Sequence, residues 1–219
     1  MRHYLLLVVL LLSLLKTGAQ DAVAVSKEPL HKNVFENRYV RALELHIAPG
    51  DTTMFHKHEK PCVSISLHPV RTGSQTLLDD KGPRVQSADR RITFDGFYQS
   101  PRIHRVWNRD SEMFHWMDVE ILTSGNRVLE EPMAAEGIKQ VFDAPPVRAY
   151  LLTLKGKQKM SFKRNAPFLI VSLSQASTAT VNKHHFSRQG DFLFVKPSKK
   201  IRFSNNSDTD YSLAVLELK

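Results

Sequence analysis

The stretch Gly50–Cys62, GDTTMFHKHEKPC, places two histidines, His56 and His58, two residues apart just after a turn-like APGD. Alternate residues of a strand share a face, so in an extended chain the two imidazoles project together while Lys57 points away. Rings about 7 Å apart along a strand can converge on one ion, at roughly 2.0–2.2 Å from each nitrogen. The plainer reading is a pair of half-exposed histidines in a polar loop. The rest of the chain has to decide between them.

Around this stretch, sustained helical periodicity is scarce. RYVRALELHI, CVSISLHPV, MDVEILTS, RAYLLTL, FLIVSLS, DFLFVK, KIRFSN and YSLAVLEL are short, rich in β-branched or aromatic residues, and bounded by Gly, Pro, Asn or Asp. Several alternate apolar and polar residues with period two. Many short, closely spaced strands predict an all-β sandwich or barrel. Only Asn126–Asp143 reads as partly helical, interrupted by Pro132 and Gly137, and the DAPP at Asp143–Pro146 reads as a linker or turn.

The two sides of that linker resemble each other. VEIL at Val119–Leu122 closes the first and LELK at Leu216–Lys219 the second, each with an asparagine (Asn108, Asn205) 12 residues before its glutamate, Glu120 or Glu217. ALELHIAPG and YLLTLKG, ending at Gly50 and Gly156, open the two halves. An internal repeat of this kind predicts two similar barrels packed together.

The chain starts MRHYLLLVVLLLSLLKTGAQ: Arg2, then the apolar run Leu5–Leu15 of 11 residues, then small residues. This is the pattern of a secretory leader cleaved after Ala19 or Gln20, and the run falls short of the roughly 20 residues of a membrane span. An exported protein of about 199 residues (219 minus 20) is expected. Cys62 is the only cysteine, so no internal disulfide forms. It is left buried, metal-bound or paired with another chain.

Net charge is +9, unevenly spread. Asp21–Ala149 holds 17 basic and 18 acidic residues (−1), whereas Tyr150–Lys219 holds 12 and 4 (+8). The basic residues lie within alternating strand patterns without an aromatic stacking platform, so nucleic acid is not the expected partner. The basic half either is structural or faces an anionic partner.

A second stretch, GFYQSPRIHRVWN at Gly96–Asn108, brings His104 into play. Together the two stretches resemble the paired motifs of the cupin superfamily. The first, G-x5-H-x-H-x3,4-E-x6-G, is matched by Gly50, His56 and His58. The second, G-x5-P-x-G-x2-H-x3-N, is matched in order by Gly96, Pro101, His104 and Asn108, with Gly96 one residue nearer to the proline and Arg102 or Ile103 where the inner glycine would be. Asn33–Leu67 as a whole is similar to the opening of small single-domain cupins.

The resemblance implies two tandem cupin-type barrels (the double-stranded β-helix or jelly roll), over residues 21–143 and 144–219. It implies one divalent metal ion (iron, manganese, nickel, copper or zinc) held in the first by His56, His58 and His104, with Asn108 a turn residue. Open coordination positions then suit a metal-dependent oxygenase, lyase or isomerase acting on a small organic molecule. The alternative is a non-catalytic small-molecule-binding or structural protein; association between copies is left open. One departure matters: Cys62 and Val63 stand where the motif's glutamate should fall. The expected site is therefore three histidines with water, or three histidines with the Cys62 thiolate. In the second half Phe162, Arg164, Phe168 and Ile201 stand in for His56, His58, Cys62 and His104, so no metal is expected there. His184 and His185 read as a solvated turn.

Overall fold

A computed structural model describes residues 22–78, 91–96, 99–175 and 178–219. The leader expected over residues 1–20 lies outside them. Among the described residues no helix is long and apolar enough to cross a membrane.

The first half contributes β1 (Val23–Ala24), β2 (His31–Glu36), β3 (Val40–Ile47), β4 (His56–His58), β5 (Cys62–His68), β6 (Thr72–Leu78), β7 (Ile92–Asp95), β8 (Arg102–Asn108) and β9 (Phe114–Ile121). The second contributes β10 (Ile138–Ala144), β11 (Val147–Leu154), β12 (Lys159–Arg164), β13 (Phe168–Ser172), β14 (Ala179–Val181), β15 (His184–Phe186), β16 (Phe192–Val195), β17 (Ser198–Asn205) and β18 (Tyr211–Leu218). Each half is a jelly roll of two sheets. The five-stranded sheets run β2-β3-β9-β5-β7 and β10-β11-β18-β13-β16, the same order twice. The smaller sheets are β1-β4-β8-β6 and β12-β17-β14-β15.

The two five-stranded sheets pack back to back. Val40, Ala42, Val63, Ile65, Val119 and Ile121 meet Val147, Ala149, Leu169, Val171, Leu216 and Leu218, all buried. Period-two alternation sends these residues outward from each barrel and their neighbours inward. At about 1.5–3 kcal/mol for each fully buried aliphatic side chain, this shared core holds the two halves against each other.

The asparagines mark the repeat at atomic level. Asn108 Nδ2 donates to the carbonyls of Ile47 and Glu112, and its Oδ1 accepts from Asp110 N. Asn205 Nδ2 donates to Leu154, Lys155 and Thr209, and its Oδ1 accepts from Ser207 N. Each locks the end of one strand to the turn ahead of the next. The turn residue matching Gly50 (φ 82°) is Lys157 (φ 59°), one position past Gly156.

One expectation is corrected, and one alternative is chosen. Asn126–Asp143 forms no α-helix: Pro132 removes a donor, Gly137 takes φ of 84°, and Ile138–Ala144 is drawn into β10 against β11. Asp143–Pro146 is the turn of that hairpin, with Ala144 paired to Val147. The second five-stranded sheet thus takes in residues from Ile138 onward.

Candidate metal centre

β4 is only three residues long, but its alternation turns His56 and His58 to one face, both buried, at 1 and 2 % exposure. β8 runs antiparallel beside it with His104 directly opposite His56. The three ring centroids form a triangle with sides of 5.1, 4.6 and 5.0 Å, and the ligand atoms all lie within 4.8 Å of one another. His58 Nε2 and His104 Nε2 are 3.0 Å apart. Two nitrogens each about 2.1 Å from one ion, subtending a right angle, would be separated by about that distance.

The protonation states agree with a ligand role. Burial, with the positive potential of the neighbouring histidine His31, pushes His56 down to about 4. Burial and the Arg102 guanidinium push His104 to about 2 and hold His58 well below the usual histidine range. All three imidazoles are neutral at pH 7 and offer lone pairs. His56 Nδ1 lies 2.9 Å from the Met54 carbonyl and so donates there, leaving Nε2 as its ligand atom. The donor set fits a divalent transition ion.

Cys62 stands apart from the triangle. Its sulfur groups with His58 and Asp118, not with His56 and His104. Burial, reinforced by the Asp118 and Glu120 carboxylates, raises its thiol well above the usual cysteine range. Without an ion, Cys62 is thus a buried thiol at the rim of the site.

Three residues at the site escape sequence reasoning. Asp118, inward-facing on β9, accepts from Ser64 Oγ (2.6 Å) and Trp116 Nε1 (3.1 Å) at Oδ1. His31 Nε2 is 3.7 Å from Asp118 Oδ2, and His31 Nδ1 is 2.6 Å from Glu28 Oε2. Glu28 also accepts the Met54 N–H at 3.0 Å, fixing the residue that orients His56. β1 pairs in parallel with β4, Val23 beside His56, so the N-terminal segment is built into the wall of the site. The signal for Asp118 was present: Trp116, Asp118 and Glu120 alternate with Met117, Val119 and Ile121, putting two carboxylates on the barrel's inner face. Nothing local marks Glu28 or His31.

The surroundings of the site and the matching positions of the second half complete the comparison. Trp116 stacks on Phe114 at 5.4 Å while holding Asp118, and Trp107 covers Gly73, where a Cβ would fall 2.3 Å from its ring. In the second half Phe162 pairs with Ile201 as His56 pairs with His104. Phe168 faces Glu217 as Cys62 faces Glu120. Arg164, at the place of His58, lies 3.7 Å from Glu217. His184 and His185 are exposed but belong to strand β15 instead of a turn.

No protein-family model matches the sequence, and no curated protein matches it either. Solved structures do resemble the fold. Bacterial pirin YhhW from Escherichia coli, in complex with nickel(II), superposes with a TM-score of 0.60 at 14 % identity, over 86 % of this chain and 90 % of that one. Salicylate 1,2-dioxygenase from Pseudoaminobacter salicylatoxidans, with gentisate, gives 0.54 at 10 %, over 84 % and 70 %. AerE from Microcystis aeruginosa gives 0.54 at 12 %, over 88 % and 98 %.

Proposed function

Starting from a chain with the fold of the cupin superfamily, we propose that it is an exported metalloenzyme binding one divalent transition ion through His56, His58 and His104. One observation carries this reading: three neutral imidazoles, those of His56 and His58 buried and that of His104 half-buried, converge within 4.8 Å on the inner face of a single barrel. Of the structural neighbours, one is a nickel(II) complex and another a dioxygenase bound to gentisate, which supports a metal and a small organic ligand. Export is supported by the leader-like opening of the sequence.

An ion held there supplies Lewis-acid or redox chemistry to an oxygen of a small organic molecule, the work of an oxygenase, lyase or isomerase. The chain's own part is orientation and proton handling. Met54, itself tied to Glu28, fixes the ring of His56. Asp118 Oδ1 is committed to Ser64 and Trp116, so Oδ2, 3.7 Å from His31 Nε2, is the oxygen through which a proton would pass. Cys62 occupies the place of a motif glutamate and serves as packing beside the site.

A second reading, binding without turnover, is favoured by the near-complete burial of His56 and His58, which leaves His104 as the partly exposed member. Reconstitution with iron(II), manganese, nickel, copper and zinc, followed by oxygen-uptake and substrate-loss assays over small phenolic and organic acids, separates the two. Turnover that needs the metal and disappears in Asp118→Asn, with the metal retained, supports the enzyme. Metal retention without turnover on any of these acids supports the binding protein.

A further inference from the structure

On the opposite face of β3 and β9 from the histidine triangle, a cavity of about 650 Å³ opens between the two halves. Glu44, His46, His115, His184, His185 and Asp191 all line it. His46 and His115 sit directly across the β3–β9 ladder from each other. Their rings lie 4.2 Å apart and nearly parallel, at 18°. His115 Nε2 is 2.9 Å from Glu44 Oε1, and Glu44 lies two residues before His46 on the same face. Ligand atoms from all three fall within 4.8 Å of one another.

The second half closes over this cluster. Its turn passes so near that a Cβ on Gly190 (φ 84°) would lie 3.1 Å from His115 Cε1 and 3.5 Å from Glu44 Oε1. Gln189 Nε2 pins the turn by donating to Leu67 O at 2.6 Å and Leu173 O at 3.1 Å.

We propose that Glu44, His46 and His115 form a second site for a divalent transition ion such as zinc, completed by His184 or His185 of the other half. Two imidazoles and a carboxylate are borderline donors that suit such an ion and leave coordination positions open toward the cavity. His184 and His185 are adjacent on β15, so one ring at a time turns toward the ion. The ion would span the halves, so binding here stiffens their junction, whereas the triangle lies inside one barrel.

The test is zinc content after equilibrium dialysis of the purified chain, read by elemental analysis. About two equivalents are expected for the native chain and about one for His115→Ala, with His56→Ala also keeping about one. The double variant should retain almost none. Because His115 is partly buried, Glu44→Gln and the surface pair His184→Ala/His185→Ala are measured beside it, each expected to weaken the second equivalent about tenfold or more. Native-like zinc binding in Glu44→Gln and in the β15 pair overturns the proposal. Loss in His115→Ala with no loss in His56→Ala upholds this site and removes the triangle instead.

Discussion

The two halves have one backbone plan and opposite interiors. Where the first places His56, His104, Cys62, Ser64 and Asp118, the second places Phe162, Ile201, Phe168, Ile170 and Val215 at the matching ladder positions. The second barrel is filled by Tyr150, Phe168, Phe186, Phe203 and their neighbours. In the first, the corresponding apolar group shrinks to Leu45, Ile47 and Phe114 with partly buried neighbours at one end. Buried polar groups cost stability unless partnered, so the first half gives up core for a chemical interior while the second supplies packing. What stays common is the frame: Arg41 pairs with Glu120, Arg148 with Glu217, and each half keeps its asparagine lock.

That contrast can be broken by truncating equivalent positions. Phe168→Ala should cost about 3–5 kcal/mol in urea unfolding, because it opens a cavity in a filled barrel. Cys62→Ala, at the matching place, should cost only about 1 kcal/mol. Equal losses would mean that the first interior is as tightly packed as the second.

Metal should sharpen the difference. A saturating ion raises stability by about 2.7 kcal/mol at a hundred times its Kd. Thermal melts with and without chelator should show this stabilisation in His115→Ala, which isolates the triangle, and not in the His56→Ala/His115→Ala double variant. Stabilisation that persists in the double variant would move the ion elsewhere.

The shared frame predicts equality where the interiors predict difference. Asn108→Ala and Asn205→Ala each strand buried carbonyls and should each cost about 2 kcal/mol. A clear gap between them would show that one turn no longer depends on its lock.

The least effect is electrostatic. Burial alone would raise the Asp143 carboxyl, but hydrogen bonds from Lys219 and Arg148 outweigh it and hold it below the usual range. A carboxylate lowered on folding stabilises above its unfolded pKa and loses that contribution as pH falls through the folded one. Asp143→Asn should therefore cost roughly 0.5 kcal/mol at pH 7, given its partial exposure, and nothing once both pKa values are passed in acid.

Much of this was legible in the sequence because strand patterning is local. Period-two runs gave β3, β5, β9, β11, β13 and β18, and the resemblance to the paired cupin motifs marked His56, His58 and His104, which meet across β4 and β8. The reading failed where long-range pairing decided the outcome. Ile138–Ala144 has apolar residues at helix-compatible spacing, yet β11 offers it a ladder that no window around it reveals. Asp118 reaches the site through a register set more than fifty residues from His58, and Glu28 and His31 through the packing of the N-terminal segment. Glu44 and His46 were read only as part of a strand, since their partner His115 and the closing turn at Gly190 lie far along the chain.

The most direct measurement is the metal content of the purified chain beside His56→Ala, after reconstitution with iron, manganese, nickel, copper or zinc and exhaustive dialysis. The account predicts that the variant falls short of the native chain by about one equivalent while its circular dichroism stays native. Identical metal content in the two, or none retained by the native chain with any of these ions, would contradict it.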